Sequence, residues 1–567
     1  MKTRLLAVLL VVACSTEKVE QQQEAPPPPR ALAKLVIPPQ APVAAPKLEN
    51  KAEKKDEGHA GKKVASKGML ITLGGTGLGG GGNALGGLSG YGQGAGGMGT
   101  IGLGGRGVKG DLSSRGEGYR HHEPNAWTST SSDHLSTFAV DVDTGSYTLA
   151  RAKLLLGALP PPDSVRVEEF LNYFRYSYPE PPEGAVLGVH MDAAPSPFAS
   201  GKHLLRVGVQ GRRLDVSQRK TAHLTFLVDV SGSMQSADKL PLAKRALRML
   251  VDQLRDGDTV ALVTYASGTR VVLTPTGMEK KAVIHAAIED LQAGGSTAMA
   301  GGIQLAYEQA MKTLSSDSES RVIIVSDGDA NVGARSPDEI LKLIQAKVKE
   351  GITCTTLGFG MGNYQDAMME QFANKGNGNH YYVDSLFEAR RIFQQQLGGT
   401  LEVIAKDVKL QVDFDPKQVK SYRLIGYENR DIADEDFRND KVDAGELGAG
   451  HTVTALYEVE LMAGAGEGLA TVRVRAKKPK GEDATERAFS FAAAKLHPRF
   501  DQAPKDLRFA TAVMGAAELF RQSPHAKTWS YELVQEIAKS SAGNAERDEF
   551  VSLLQQAKSI VSTVAVR

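Results

Sequence analysis

Leu224-Thr225-Phe226-Leu227-Val228-Asp229-Val230-Ser231-Gly232-Ser233-Met234 is the stretch on which the fold of this 567-residue chain turns. Leu224, Phe226, Leu227 and Val228 form an apolar run long enough for one buried strand. The run closes on oxygen-bearing side chains at alternate positions, Asp229, Ser231 and Ser233. Gly232 among them lets the backbone turn sharply. Past Lys239 the apolar spacing becomes helical, through Leu242, Ala246, Met249, Leu250 and Leu254. A hydrophobic strand that ends in a carboxylate and hydroxyls just before a helix has the makings of a cation site. In open α/β sheets such sites gather at the carboxyl ends of the strands.

The donor set indicates which cation. A carboxylate with neutral hydroxyls is a hard, weakly charged set that suits Mg²⁺ or Mn²⁺ better than zinc, which prefers His and Cys. Mg²⁺ takes six ligands and keeps some waters, so further oxygens must arrive from other strand ends. Arg321 to Asp329 supplies one: Val322 to Val325 is a second buried run, and it ends in Asp327 and Gly328. Gly294 to Thr297 lies between two helical patterns and offers Thr297. In the order DxSxS, a loop Thr, then SDG after an apolar strand, Asp229, Ser231, Ser233, Thr297 and Asp327 resemble the metal-ion-dependent adhesion site (MIDAS) of von Willebrand factor type A (VWA) domains. The resemblance spans roughly Thr221 to Glu402. It implies Mg²⁺ at these five residues, with Mn²⁺ or Ca²⁺ as alternatives, and an open position filled by an Asp or Glu carboxylate of a partner protein. Tyr265 and Asn331 are candidates for the rim, or ordinary surface. The plain alternative is a solvated turn in which Ser231 or Ser233 caps the helix.

The surrounding rhythm is that of an α/β domain. Strands at Leu224–Asp229, Thr259–Ala266, Val322–Ser326, Ile352–Phe359 and His380–Val383 alternate with helical runs, and Thr269–Leu273 forms a hairpin around Ser267-Gly268. That is the signature of a doubly wound, mostly parallel, Rossmann-like sheet. After about Lys406 the strands follow one another without helices, which reads as an antiparallel β-sandwich, and helical stretches near Leu507–Phe520, Tyr531–Ser540 and Asp548–Ser559 end the chain. This part resembles the carboxy-terminal domain of unknown function in a family of bacterial VWA proteins. STFAVDVDTGSY (136–147) through RVEEFLNYFRYSYP (166–179) resembles the amino-terminal region of the same family. Val165 to Tyr176 is expected as an amphipathic helix, and Asp141 and Asp143 as solvated strand-end carboxylates. Strands from Val186 to Gln210 are expected to pair with those after Lys406, making the VWA domain an insertion in the sandwich.

The amino-terminal 120 or so residues read differently. Met1 to Cys14 carries Lys2 and Arg4, then an apolar core too short to span a membrane, and so reads as a secretory signal. Val11-Val12-Ala13-Cys14 resembles the bacterial lipobox, which implies cleavage immediately before Cys14, acylation of Cys14 and membrane attachment through that lipid. Ser15 after the Cys, by the same analogy, favours the outer membrane, with the body facing the periplasm or the exterior. Residues 14–119 are Pro/Ala-, Lys- and then Gly-rich and cannot bury enough apolar surface to offset their chain entropy, so they read as a tether. Gly75, Gly77 and Gly80 match GxGxxG, but no helix can follow in that glycine-rich run, which excludes a dinucleotide site. The expected divisions are therefore 1–13 signal, 14–119 tether, 130–220 VWA-associated region, 221–402 VWA domain and 403–567 carboxy-terminal domain.

What remains bounds function. The net charge is +1, so no overall field argues for nucleic acid. The only cysteines are Cys14 and Cys354; with Cys14 lipidated, Cys354 has no disulfide partner, and its apolar setting predicts a buried, unreactive thiol. His121, His122 and His134 lack Cys neighbours and i, i+4 spacing and argue little for metal. No Walker motif, GxSxG or HExxH is present, so an enzyme is not expected. The expected function is a lipid-anchored, Mg²⁺-dependent protein-binding module; the alternative is an envelope scaffold with a metal-independent role.

Overall fold

A computed structural model describes residues 119–565, apart from 216–218, 329–335, 362–365, 396–398, 400, 467, 480 and 482. The signal, Cys14 and nearly all of the tether lie outside the described residues. The first elements are strands β1 (Thr128–Ser129) and β2 (Leu135–Ala139), helices α1 (Gly145–Leu155) and α2 (Val167–Tyr173), and strands β3 (Leu187–Pro195) and β4 (Lys202–Gly211). An α/β segment follows: β5 (Thr221–Asp229), α3 (Leu240–Asp252), β6 (Thr259–Tyr265), β7 (Thr269–Gly277), α4 (Lys281–Glu289) and α5 (Met299–Ala310). It continues with β8 (Ser318–Ser326), α6 (Pro337–Lys349), β9 (Ile352–Gly358), α7 (Asp366–Lys375), β10 (His380–Tyr382) and α8 (Leu386–Arg390). Strands β11 (Val403–Phe414), β12 (Val419–Ile425), β13 (Gly445–Gly448), β14 (Thr452–Leu461), β15 (Ala470–Lys477) and β16 (Ala484–Ser490) come next. Three helices, Lys505–Phe520, Tyr531–Ser541 and Ala545–Ala565, close the chain. None of the described helices is long and apolar enough to cross a membrane.

The α/β segment is one sheet in the order β10-β9-β8-β5-β6-β7, parallel throughout except for β7, which returns as a hairpin on β6. Side chains alternate between its faces. Leu224, Phe226 and Val228 join the core under α3 and α4, whereas Leu227 packs with Val263, Ile303 and Ile324 on the other side. Burial on both faces explains why the strands read as continuous apolar runs. Cys354 on β9 is fully buried, and burial pushes its thiol up to about 12.

The remaining strands make two antiparallel sheets. One runs β1-β12-β14-β4-β3; the other runs β13-β11-β15-β16, with β2 alongside β11. Strand β4 pairs with β14 from Thr452↔Gln210 to Glu460↔Lys202. The chain thus leaves the sandwich after β4, builds the α/β sheet, and returns at β11. Leu205, Val207 and Val209 face the second sheet, while Leu204 turns to a helical layer of α1, α2 and the carboxy-terminal helices. The order is helices, sheet, sheet, each layer covering the apolar face of the next.

Two expectations about the amino-terminal region need correction. Helix α2 is not amphipathic: every residue in it is buried, including Glu168 and Glu169. It lies between the terminal helices and the sandwich, so polar side chains on it find partners inside the protein. Asp141 and Asp143 are not solvated either. They are 4% and 2% exposed, and both face Arg430. Regular strand structure in β2 ends at Ala139, and the chain beyond it is buried against the edge of the α/β sheet. The amide of His380 on β10 donates to Asp143 Oδ1 at 2.8 Å, and the Thr148 hydroxyl donates to the Tyr382 carbonyl at 2.8 Å. The sheet edge at β10 is thereby covered by neighbouring chain.

Candidate metal centre

β5 and β8 are adjacent and parallel, so Asp229 and Asp327 arrive together at the same end of the sheet. Both are fully buried. Asp229 Oδ1 accepts the amide of Ser231 at 2.8 Å, and its Oδ2 accepts the hydroxyl of Ser326 at 3.0 Å. The same Ser326 hydroxyl accepts the amide of Gly328 at 3.0 Å. Gly328 has φ +76°, a left-handed turn that a side chain would strain. Burial pushes the Asp229 carboxyl above its ordinary value, and the charge of Asp327 adds to this; hydrogen bonds from Ser231 and Ser326 oppose it. A buried carboxylate pushed up by burial and by a second acid close by is primed for a cation.

The hydroxyls come from the turn after β5. The Ser231 and Ser233 oxygens lie 2.9 Å apart. Neither caps a helix: a short 3-10 turn, Gly232–Gln235, intervenes, and α3 starts at Leu240 without a side-chain cap. This removes the plain reading of the serines as helix caps. The loop that carries Thr297 is tied to this turn by backbone bonds, Gly232 N to Gly295 O at 3.0 Å and Gly294 N to Val230 O at 2.8 Å. On its other side, Ser296 N donates to Ser267 Oγ in the β6–β7 hairpin at 2.9 Å. Thr297 is half-buried at the end of this braced loop, immediately before α5. The structure therefore gathers the loops bearing Asp229, Ser231, Ser233, Thr297 and Asp327 at one sheet end.

The donors fit a hard divalent cation. All are oxygens, with only two carboxylates among them. Among the described residues no three His, Cys, Asp or Glu side chains form a metal cage of another kind. His121 pairs instead with Asp163 and Glu123, and His134 with Asp413.

Three residues around the centre differ from expectation or were missed. Tyr265 is not a rim residue. It is fully buried, and burial followed by the nearby Asp229 charge holds its phenol far above the ordinary range. Position 265 is the last residue of β6, in register with Asp229, so its side chain points into the core under α5. Asn331 lies outside the described residues. Ser326, which braces both Asp229 and the Gly328 turn, was legible only as the first letter of SDG. Lys239 Nζ lies 2.9 Å from Asp327 Oδ2; its only sequence signal is a lone cation at the foot of a helix.

These features define the chain as a VWA-domain protein. The sequence profile of the von Willebrand factor type A domain matches residues 223–396, and a second von Willebrand factor profile matches 113–206. The profile of the carboxy-terminal domain of the uncharacterized protein YfbK matches residues 399–560. YfbK of Escherichia coli is 34% identical over 471 residues, covering 78% of this chain and 81% of that protein. The chain belongs to the YfbK family. An uncharacterized protein of Synechocystis, sll0103, is 30% identical over 40% of this chain and 54% of its own. Among solved structures, a von Willebrand factor type A protein from Catenulispora acidiphila covers 67% of this chain and 91% of its own, at 16% identity and TM-score 0.41. Proximal thread matrix protein 1 from the mussel byssus, solved with a zinc-occupied MIDAS motif, covers 31% of this chain and 45% of its own, at 22% identity and TM-score 0.27.

Proposed function

We propose that Asp229, Ser231, Ser233, Thr297 and Asp327 hold a Mg²⁺ ion, with Mn²⁺ and Ca²⁺ as lesser alternatives, and that the protein captures a partner protein there. VWA domains generally serve interaction rather than catalysis, and the alternation of hydroxyls with only two carboxylates suits that role. When bound, the ion supplies a position of high charge density for an Asp or Glu carboxylate of the partner. Neutral hydroxyls neutralise it less than carboxylates do, so an incoming acid gains a strong charge-assisted contact. The observation that carries the reading is the junction of the Asp229 turn, the Asp327 turn and the Thr297 loop at one end of adjacent parallel strands.

The lipobox-like Val11 to Cys14 and the Ser15 that follows support an outer-membrane lipoprotein, with residues 14–119 as a leash between anchor and folded body. On this reading the VWA domain, 221–402, is the working head, and residues 130–220 and 403–567 are its mount. The test is partner capture from envelope extracts by the wild type and by Asp229→Asn, each in Mg²⁺ and in EDTA. Capture by the wild type in Mg²⁺ alone supports the reading. Capture indifferent to EDTA and to the substitution returns the domain to a scaffold role.

A further inference from the structure

Lys239 stands at the foot of α3, and its side chain is 9% exposed. It reaches across the sheet end to Asp327, which is fully buried, and ends 2.9 Å from Oδ2. The path is made by Gly360, just past β9. A Cβ on Gly360 would lie 2.3 Å from both Cγ and Cε of Lys239, so only glycine leaves the lysine its channel. Gly360 also has φ +72°, a backbone that other residues rarely adopt. A buried cation with a dedicated passage, touching one of the two carboxylates among the five candidate ligands, is more than surface charge balance.

We propose that the Lys239 ammonium is a tethered cation of the metal centre: it competes with a divalent ion for Asp327 and weakens the chain's own hold on metal. The inference rests on the metal reading above and goes beyond it. A cation already facing Asp327 must yield or share that oxygen when an ion enters, and its positive charge repels the ion. A negatively charged partner offsets the repulsion. Metal and partner therefore bind cooperatively: the ion is held loosely alone and firmly once an acidic group arrives, and the coupling acts equally in both directions.

The experiment compares the wild-type chain with Lys239→Met and Asp229→Asn, titrated with MgCl₂ and with MnCl₂ by calorimetry. Thermal unfolding in EDTA and in excess Mg²⁺ accompanies it. Lys239→Met is expected to bind either ion about tenfold tighter or more. Its unfolding midpoint is also expected to rise further on going from EDTA to Mg²⁺ than that of the wild type, because the ion replaces the lost charge beside Asp327. A merely structural ion pair would lower both midpoints alike. Equal or weaker ion binding by Lys239→Met, with Asp229-dependent binding intact in the wild type, overturns the inference. No Asp229-dependent binding in either protein overturns the metal reading itself. Should the methionine variant fail to fold, Lys239→Gln keeps a donor for Asp327 without the charge, and the same gain or its absence decides.

Discussion

Two carboxylate pairs in this molecule begin alike and end differently. Asp229 and Asp327 stand at the ends of buried strands, and so, by sequence, do Asp141 and Asp143. Each pair is almost wholly buried, and in each one member is pushed up, first by burial. The partners separate them. Asp141 and Asp143 face the guanidinium of Arg430 at 3.2 and 3.5 Å, and Arg430 reaches Asn374 and Glu370 as well. Among the described residues Asp229 is held by the hydroxyl of Ser326 and the amide of the Ser231 turn, not by a guanidinium. The acids alone do not make a site. A pair bridged by one arginine is a fastening; a pair split between hydroxyls at Asp229 and a single lysine at Asp327 is the arrangement an ion can compete for.

The largest break in the comparison is Arg430→Ala. It leaves Asp141 and Asp143 buried without their cation, and removing one side of a buried ion pair costs about 3–5 kcal/mol. Denaturant unfolding should show a loss of that order; a loss under about 1 kcal/mol would mean the arginine is not the fastening. Next is pH. Glu168 on α2 lies in the same acid-rich interior, its Oε2 accepting the Tyr427 amide at 3.0 Å. Burial, then the charges of Glu428 and Asp141, push its carboxyl up to about 8. The folded chain therefore keeps this proton up to about pH 8, whereas the unfolded chain releases it near about pH 4.3. Its contribution to stability is full below the unfolded value and drains away as pH rises towards 8. The unfolding free energy of the wild type from urea titrations should fall between pH 5 and 8, and Glu168→Gln should flatten that fall by up to about 3 kcal/mol. Parallel curves would exclude Glu168 as the source.

A smaller effect sharpens the fastening side. Thr148→Val removes the hydroxyl that donates to the Tyr382 carbonyl on β10. One such bond is worth about 1 kcal/mol, and hydrogen exchange of the β10 amides should quicken accordingly. Unchanged exchange would show that the edge is held by Asp143 and the packing alone.

How much of this was legible depends on the range of the signal. The sheet could be read because its strands are buried on both faces and leave continuous apolar runs, and the loops that meet at its end because DxSxS, the loop Thr and SDG keep their order whatever the distance between them. The pairing of β4 with β14 could be read from alternation on strands lying either side of the α/β segment. The charge partners could not. Nothing near Asp143 announces Arg430, which comes 287 residues later, and buried acids at a strand end look like solvated ones until their neighbours are known. Tyr265 failed for the same reason: its position at a strand end was visible, but the side of the sheet and the helix covering it were not. Helix α2 misled because a helix enclosed on all sides shows the same few polar residues as one with a wet face.

The smallest expected change in stability carries the largest expected change in function. Asn at position 229 is isosteric with Asp, keeps an oxygen for the Ser231 amide, and relieves the repulsion with Asp327. In EDTA, Asp229→Asn should unfold within about 1 kcal/mol of the wild type, as substitutions that open no cavity and break no packing usually do. In excess Mg²⁺ the wild type gains stability as the ion binds the folded state, and the variant gains none. The contrast with Arg430→Ala is the point: one substitution should cripple the fold at any ion concentration, the other should matter only when the ion is present. If Asp229→Asn destabilises the chain in EDTA as severely as Arg430→Ala does, the two pairs are one kind of thing, and the oxygen-lined end of the sheet is another fastening.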